Sequence, residues 1–430
     1  MKVEQPSAST QIAFACVTTL FFAWGFITSL IDPLVAAVKG IFSLSDVEAQ
    51  LSASAFFIAY GVVSLPAAAL LARRKSVVTV LIALMLMIAG CVLMLVASNL
   101  AIYELVLFGL FVLASGITIL QVAANPLAAA LGRPDRSHLR LTLSQAFNSL
   151  GTFIGPYLGA SLFLKGVEIK QDEQLSATVR ASALTGIDFA FLSIAVLIAL
   201  LALFIWFARR LISAATLTTP ARASSGGIAA ILIEATSSRW ALLGGAAIFL
   251  YVGAEVAIGT QMALFLHSDA VLGVPLEQAG KMVSLYWGGA MVGRLIGSAL
   301  LARVPAPALL ATFASIACAI CLFVFAMGGS AGGYAALTIG LFNSIMFPVI
   351  FTLTLERSSV SEAATSGFLC FSIVGGAAMP LLVGLVSGAT SYTTAFAVPA
   401  ICYALLLGFA LAARRVVAVR GAAAVALSGH

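Results

Sequence analysis

Three ionisable side chains lie inside long apolar stretches of this 430-residue chain: Asp32, Glu255 and Arg294. In hydrocarbon each costs about 2.5 to 3.5 kcal/mol on insertion scales, so each needs a partner or a task. Glu255 is the sharpest signal, seventeen residues from the start and eleven from the end of the apolar run 238–266. A carboxyl at that depth either takes up a proton or is held ionised by a cation. Tyr251 lies one turn before it and Gly259 one turn after it, which leaves room for a ligand or a close helix contact. Asp32 comes late in the run 12–38, just before Pro33, with Trp24, Thr28 and Ser29 behind it at helical spacing. It reads either as a helix-end aspartate turned to water or as a carboxylate facing a cavity; the apolar residues Leu34 to Val38 beyond it favour the cavity. Arg294, two to three turns from the end of its run, is placed to snorkel or to pair with Glu356, a structural or gating role.

Amides accompany these charges. Thr118, Gln121 and Asn125 share a helical face in the run 101–129, Gln145, Asn148, Ser149 and Thr152 share another in 139–165, and Asn343 and Ser344 lie in 333–355. Amides also glue membrane helices together. Their convergence with Trp24, Tyr60, Phe147 and Trp287 nonetheless suits a neutral polyhydroxylated ligand, since amides pair with hydroxyls and aromatic faces cover the apolar side of a sugar ring.

The elements that must position these residues follow from composition. The chain is 62% apolar and 9% charged, with mean hydropathy +1.13, whereas a soluble domain is about half apolar and about a quarter charged. Twenty-two basic and 16 acidic residues cannot clothe a soluble surface of this size. Secreted, cytosolic and disordered classes are excluded, and the net charge of +6 describes membrane sidedness rather than affinity for nucleic acid. The six cysteines all lie in apolar runs, which argues against a disulfide framework; the Cys318/Cys321 pair has no second pair or histidine nearby and reads as small apolar filler. The first run has no small-residue cleavage site after it and reads as a spanning helix, not a signal peptide.

Twelve runs have spanning length: 12–38, 48–71, 76–97, 101–129, 139–165, 183–208, 238–266, 278–302, 306–327, 333–355, 362–386 and 392–413. The expected fold is an all-α membrane protein of twelve transmembrane helices. With the N-terminus inside, sixteen of the 22 basic residues fall on the inner side, among them Arg73, Arg74, Arg209, Arg210, Arg303, Arg414 and Arg415. Five, Lys39, Lys165, Lys170, Arg180 and Lys281, fall outside. Both termini are therefore expected in the cytoplasm. An Ala-, Ser- and Thr-rich stretch, 212–237, reads as a cytoplasmic linker between six-helix bundles at 1–211 and 238–414, with a cytoplasmic tail at 415–430.

The halves echo each other. Ala69-Leu-Leu-Ala-Arg73 recurs as Ala299-Leu-Leu-Ala-Arg303 at an offset of 230, Phe147, Gly151 and Pro156 as Phe371, Gly375 and Pro380 at 224, and Gln121 with Pro126 as Asn343 with Pro348 at 222. Three similar offsets in the same helix order indicate a duplicated, pseudo-symmetric unit with a binding cavity between the copies. Arg73, Arg294 and Arg303 are assigned to gating or structure.

Several motifs are more specific. Gln121-Val-Ala-Ala-Asn125-Pro126, the stretch Gln145-Ala-Phe147-Asn148-Ser149-Leu-Gly151, Phe22-Ala-Trp24-Gly through Asp32, Tyr251-Val-Gly-Ala-Glu255, and Phe342-Asn343-Ser-Ile-Met-Phe-Pro348 together resemble the fucose-galactose-glucose symporter branch of the major facilitator superfamily. The similarity runs over essentially the whole chain and is strongest for the glucose/galactose transporters. It implies the major facilitator fold, in which Asp32, Gln145 and Asn148 line the sugar cavity. Fucose symporters of the branch carry a glutamate where this chain has Gln121, so a proton relay there is not carried over, and coupling is expected at Asp32 or Glu255. The full candidate binding set is Trp24, Asp32, Tyr60, Gln121, Asn125, Gln145, Asn148, Tyr251, Glu255, Trp287 and Asn343.

The expected function is import of a glucose/galactose-like hexose, or fucose or a related sugar, by symport with H+ or Na+ in a bacterial inner membrane. An uncoupled facilitator or an exporter of a small polar solute is the alternative. A membrane enzyme is disfavoured: the histidines are only His138, His267 and His430, with no HExxH or GxSxG. No cofactor or metal is implied, and a monomer in the lipid bilayer is expected. The charge distribution makes the topology testable: green fluorescent protein fused to the C-terminus should fluoresce and alkaline phosphatase fused there should stay inactive, the reverse pattern refuting the inferred sidedness.

Overall fold

The computed structural model describes residues 8–74, 76–131, 137–165, 177–216, 228–301, 303–360 and 362–416, and among them every regular element is helical. In order these are α1 (Ala8–Ser29), α2 (Ile31–Phe42), α3 (Asp46–Arg73), α4 (Ser76–Leu100), α5 (Tyr103–Ala130), α6 (Ser137–Phe163) and α7 (Ala177–Thr216). After them come α8 (Ile228–Thr236), α9 (Arg239–His267), α10 (Leu276–Leu301), α11 (Ala306–Met327), α12 (Gly329–Asn343), α13 (Met346–Arg357), α14 (Glu362–Phe371), α15 (Gly375–Ala389) and α16 (Ala397–Arg415). Ten rods among the described residues are long and apolar enough to cross a membrane, with α1/α2 and α12/α13 each counting as one. The remaining long helices, α6 and α10, have 27 and 26 residues but carry Gln145, Asn148 and Ser149, and Glu277, Lys281 and Arg294. A helix that turns one face to other helices can afford polar residues that a lipid-facing helix cannot.

Two predicted spans are broken. The first divides at Leu30: Pro33, four residues after Ser29, has no N–H to give the Ser29 carbonyl, and its ring crowds that carbonyl. The rod at 333–355 divides at Ser344–Ile345 for the same reason, with Pro348 four residues beyond Ser344. The matching proline of the other half, Pro126, lies inside α5 without breaking it. A third interruption, the 3-10 turn Ser372–Val374, precedes Gly375 and Gly376. There α9 comes so close that a Cβ on Gly375 would lie 2.0 Å from the Phe249 carbonyl oxygen.

The expected linker is partly helical. α7 runs on to Thr216 and α8 occupies 228–236, packing on α14 and α9; residues 217–227, like most of the tail at 417–430, lie outside the described residues. With nine residues, α8 is about 13 Å long, too short to cross a bilayer.

Small residues set the helix spacing, as they must where lipid supplies no hydrophobic drive between helices. Against α5, a Cβ on Gly90 of α4 would lie 2.5 Å from the Leu113 nitrogen; against α1, a Cβ on Gly151 of α6 would lie 2.5 Å from the Phe22 carbonyl oxygen. Helices before and after α8 meet chiefly through α6 on α10, α3 on α15 and α2 on α9. At the end of the molecule away from Arg74, Arg209, Arg210 and Arg303, this seam is tied by Lys39 of α2, which forms an ion pair with Asp46 of α3 and donates to Tyr392 Oη (2.7 Å). Tyr392 lies 3.0 Å from Asp46 Oδ1, and Ser387 Oγ donates to Asp46 Oδ2 at 3.0 Å. Burial, reinforced by the Asp46 charge, pushes the Tyr392 hydroxyl far above its ordinary range, so it stays a donor. Nearby, Thr260 donates to Gln50 Oε1 (3.0 Å) and Ser54 to the Ala377 carbonyl (2.5 Å).

The packing makes a contrast between two glycines. Gly90→Ala should destabilise the protein by about 1 to 3 kcal/mol through overpacking, whereas Gly408→Ala, with nothing within 4 Å of the new Cβ, should leave thermal unfolding in detergent unchanged or slightly raised.

Candidate functional site

The break in the first rod places Asp32 in the first turn of α2, where the free N–H groups and helix dipole favour a negative charge. The side chain is 3% exposed. Its Oδ2 accepts from Trp287 Nε1 of α10 at 2.5 Å. Gly259 of α9 makes the approach possible, since a Cβ there would sit 3.3 Å from Asp32 Oδ1 and 3.2 Å from the indole. Asp32 is thus buried where α2, α9 and α10 meet, and a close helix contact occupies the space beside Gly259.

Glu255 of α9 is half-buried and lies in electrostatic reach of both Asp32 and Arg294. Tyr251 Oη donates to its Oε1 at 2.7 Å and also reaches the Asn343 carbonyl oxygen at 3.0 Å. Asn343, the last residue of α12, is held by its amide: Nδ2 donates to Tyr286 Oη (2.7 Å) and Oδ1 accepts from Tyr403 Oη (2.7 Å). Tyr286 in turn donates to the Glu255 carbonyl at 3.1 Å. Three buried tyrosines thus cage the helix break beside the carboxylate. Neither Tyr286 nor Tyr403 was singled out from sequence; the available signal was a lone hydroxyl deep in an apolar run, which must find a partner there.

On the other side of the seam, Gln121 Nε2 donates to Tyr60 Oη at 2.7 Å. Asn125 Oδ1 is buried, with no hydrogen-bond partner among the described residues. Asn148 is half-buried: Nδ2 donates to the Phe21 carbonyl (3.1 Å), and the amide packs on Gly25. Trp24 is buried against Phe21, ring centroids 4.2 Å apart. Gln145 is half-buried and its carbonyl accepts from Ser149 (3.0 Å). Arg294 differs from its expected pairing. Its guanidinium crosses the seam to donate to Ser149 Oγ, because α10 lies directly on α6, while Glu356 lies 3.2 Å from Arg357. Arg303 is exposed at the turn after α10, and the Arg73 side chain lies outside the described residues.

The arrangement therefore brings together Asp32 with Trp287, Tyr60 with Gln121, and Glu255 with Tyr251 and Asn343. Two carboxylates on opposite sides of a seam can take up and release a proton or small cation. Asn125 and Gln121 offer amide groups for hydroxyls.

Comparison with known proteins agrees with this architecture. The Major Facilitator Superfamily model matches residues 14–369. A glucose/galactose transporter of Brucella abortus biovar 1 (strain 9-941) is 40% identical over 403 residues, covering 93% of this chain and 93% of that one. The L-fucose-proton symporter of Escherichia coli (strain K12) is 33% identical over 419 residues, covering 94% and 93%. The crystal structure of a variant of the E. coli fucose:proton symporter superposes with a TM-score of 0.69 at 28% identity, covering 94% of this chain and 99% of that chain. With a matching family model over most of its length, relatives at this identity and ten to twelve apolar helices, the chain is an integral, multi-pass membrane protein of the Major Facilitator Superfamily.

Proposed function

We propose that the protein imports a monosaccharide, a glucose- or galactose-like hexose, together with a proton by alternating access across a bacterial inner membrane. The observation that carries this reading is the pair Asp32 and Glu255, two carboxylates in membrane helices on either side of the seam, one held by Trp287 at a helix break and one held by Tyr251 beside another. The names of the relatives, glucose/galactose transporter and L-fucose-proton symporter, supply the substrate class and the ion. α6 and α10 complete twelve spans, arranged as bundles at 1–211 and 238–414 with both termini in the cytoplasm, and the protein works as a monomer.

Energetics suit one ion per sugar. Concentrating a neutral sugar a hundredfold costs about 2.8 kcal/mol, and one charge crossing about 120 mV supplies a similar amount. Gln121 is neutral and donates to Tyr60, so the proton falls to Asp32 or Glu255. Asn125, Gln121 and Gln145 meet the sugar hydroxyls, with Trp24, Tyr60 and Trp287 as the aromatic surfaces, while Asn343 holds the helix break beside them. In the inferred orientation the Lys39–Asp46–Tyr392 tie closes the outer end, so the cycle opens it by parting α2 and α3 from α15. Arg294 spans the seam nearer the inner side as a gating contact.

Uptake of radiolabelled D-glucose, D-galactose and L-fucose into proteoliposomes, under imposed pH or Na+ gradients, tests the assignment. Symport requires sugar-driven alkalinisation outside, whereas an uncoupled facilitator shows neither this nor gradient-driven uptake. Glu255→Gln should abolish accumulation against a gradient while retaining counterflow. Accumulation at the wild-type level in that variant would move the coupling site away from Glu255.

A further inference from the structure

We propose that Tyr251 is a positioning residue that passes the proton state of Glu255 to the helix break at Ser344–Ile345. The inference rests on the assignment of Glu255 as the coupling carboxylate. Tyr251 has one hydroxyl hydrogen and two acceptors within reach, Glu255 Oε1 at 2.7 Å and the Asn343 carbonyl oxygen at 3.0 Å. The rest of the cage is fixed: Tyr403 donates to Asn343 Oδ1, Asn343 donates to Tyr286, and Tyr286 donates to the Glu255 carbonyl. The Tyr251 hydrogen is the member of this set with a choice.

The choice follows from the charge on Glu255. An ionised carboxylate is the stronger acceptor and draws the hydrogen to itself. When a proton arrives and bonds to a Glu255 carboxyl oxygen, the carboxyl becomes a donor and its O–H turns to the Tyr251 oxygen. The Tyr251 hydrogen then goes to the Asn343 carbonyl. One O–H bond is made, no other covalent bond changes, and the same proton leaves when the cycle reverses. The groups facing Glu255 are Tyr251 on its own helix, Tyr286 and Arg294 of α10, Asp32 of α2 and, through Asn343, Tyr403 of α16.

What the hydrogen reaches is mechanically connected. The Asn343 carbonyl ends α12, at a break that Pro348 prevents from closing into regular helix. α10 lies against this break without an intervening side chain: a Cβ on Gly293 would fall 2.1 Å from the Leu341 carbonyl oxygen, and one on Gly340 would fall 1.9 Å from the Tyr286 carbonyl oxygen. The residue after Gly293 is Arg294, whose guanidinium crosses the seam to Ser149. A shift at the break is therefore borne by α10 and delivered to a contact between the two sides of the molecule.

Tyr251→Phe keeps the ring and removes the hydrogen. Accumulation under a pH gradient, normalised to counterflow of D-galactose in the same proteoliposomes, should fall about tenfold, and the pH profile of downhill efflux should flatten. Wild-type accumulation with a wild-type pH profile would overturn the proposal. Glu255→Gln measured alongside separates the two readings: if it loses accumulation while Tyr251→Phe keeps it, the relay alone fails, and if Glu255→Gln itself accumulates sugar, the coupling assignment fails. Should Tyr251→Phe not fold, the wild-type background serves. Alkylation of Ser344→Cys is followed on its own peptide by mass spectrometry, and the ratio of its rates at acid and alkaline pH, which carries the thiol's own ionisation in every background, should differ about threefold from the ratio for the same cysteine with Glu255→Gln added. Equal ratios in the two backgrounds would overturn the relay.

Discussion

A carboxylate cannot be left in hydrocarbon without a donor, and for Asp32 the donor comes from the far side of the molecule. Removing an ion from water costs several kcal/mol even after relaxation. Here that cost is offset by Trp287 Nε1 of α10 and by the free N–H end of α2. Much else depends on this one contact. Pro33 interrupts the rod so that Asp32 stands at a helix start, a glycine at 259 leaves the carboxylate and the indole in close approach, and α10 runs along the seam rather than outside it.

The same logic explains where regular helix stops. In lipid an unsatisfied backbone group is tolerated only inside protein, and both proline-linked breaks are lined by polar side chains. At Leu30 the break presents Asp32; at Ser344 it presents Asn343, whose carbonyl and amide are met by Tyr251, Tyr286 and Tyr403. The two breaks lie on opposite sides of the seam, and the carboxylates beside them feel each other's charge. Binding one positive charge between them relieves both, which is the physical basis for a cation-coupled reading.

Contacts across the seam differ from those within each side. Inside, glycines such as Gly90 and Gly151 let backbones touch, and such packing does not deform gradually. Across it, several of the ties are polar and switchable: Lys39 and Asp46 with Tyr392, Gln50 with Thr260, Ser149 with Arg294. Polar ties of this kind exchange for water more readily than backbone-to-backbone packing does.

Composition alone put the chain in a membrane, and run lengths placed most of its helices within about four residues, because hydrocarbon thickness fixes the length of any span; α7 is the exception, running beyond 183–208 at both ends to Ala177–Thr216. The depth of Glu255, the amide-proline pairs and the internal echoes were equally legible, since an ionisable or duplicated residue in an apolar run has few explanations. Sequence did not disclose that Pro33 and Pro348 break their rods while Pro126 does not, as a proline removes one donor and the surroundings decide whether the helix bends, breaks or absorbs the loss. Nor could it match partners. Trp287 with Asp32, Arg294 with Ser149 and Lys39 with Tyr392 are separated by 255, 145 and 353 residues. Hydropathy and spacing describe how a residue relates to its own helix and to lipid. Which donor meets which acceptor was decided only when the helices packed, because that depends on where glycines let two backbones approach.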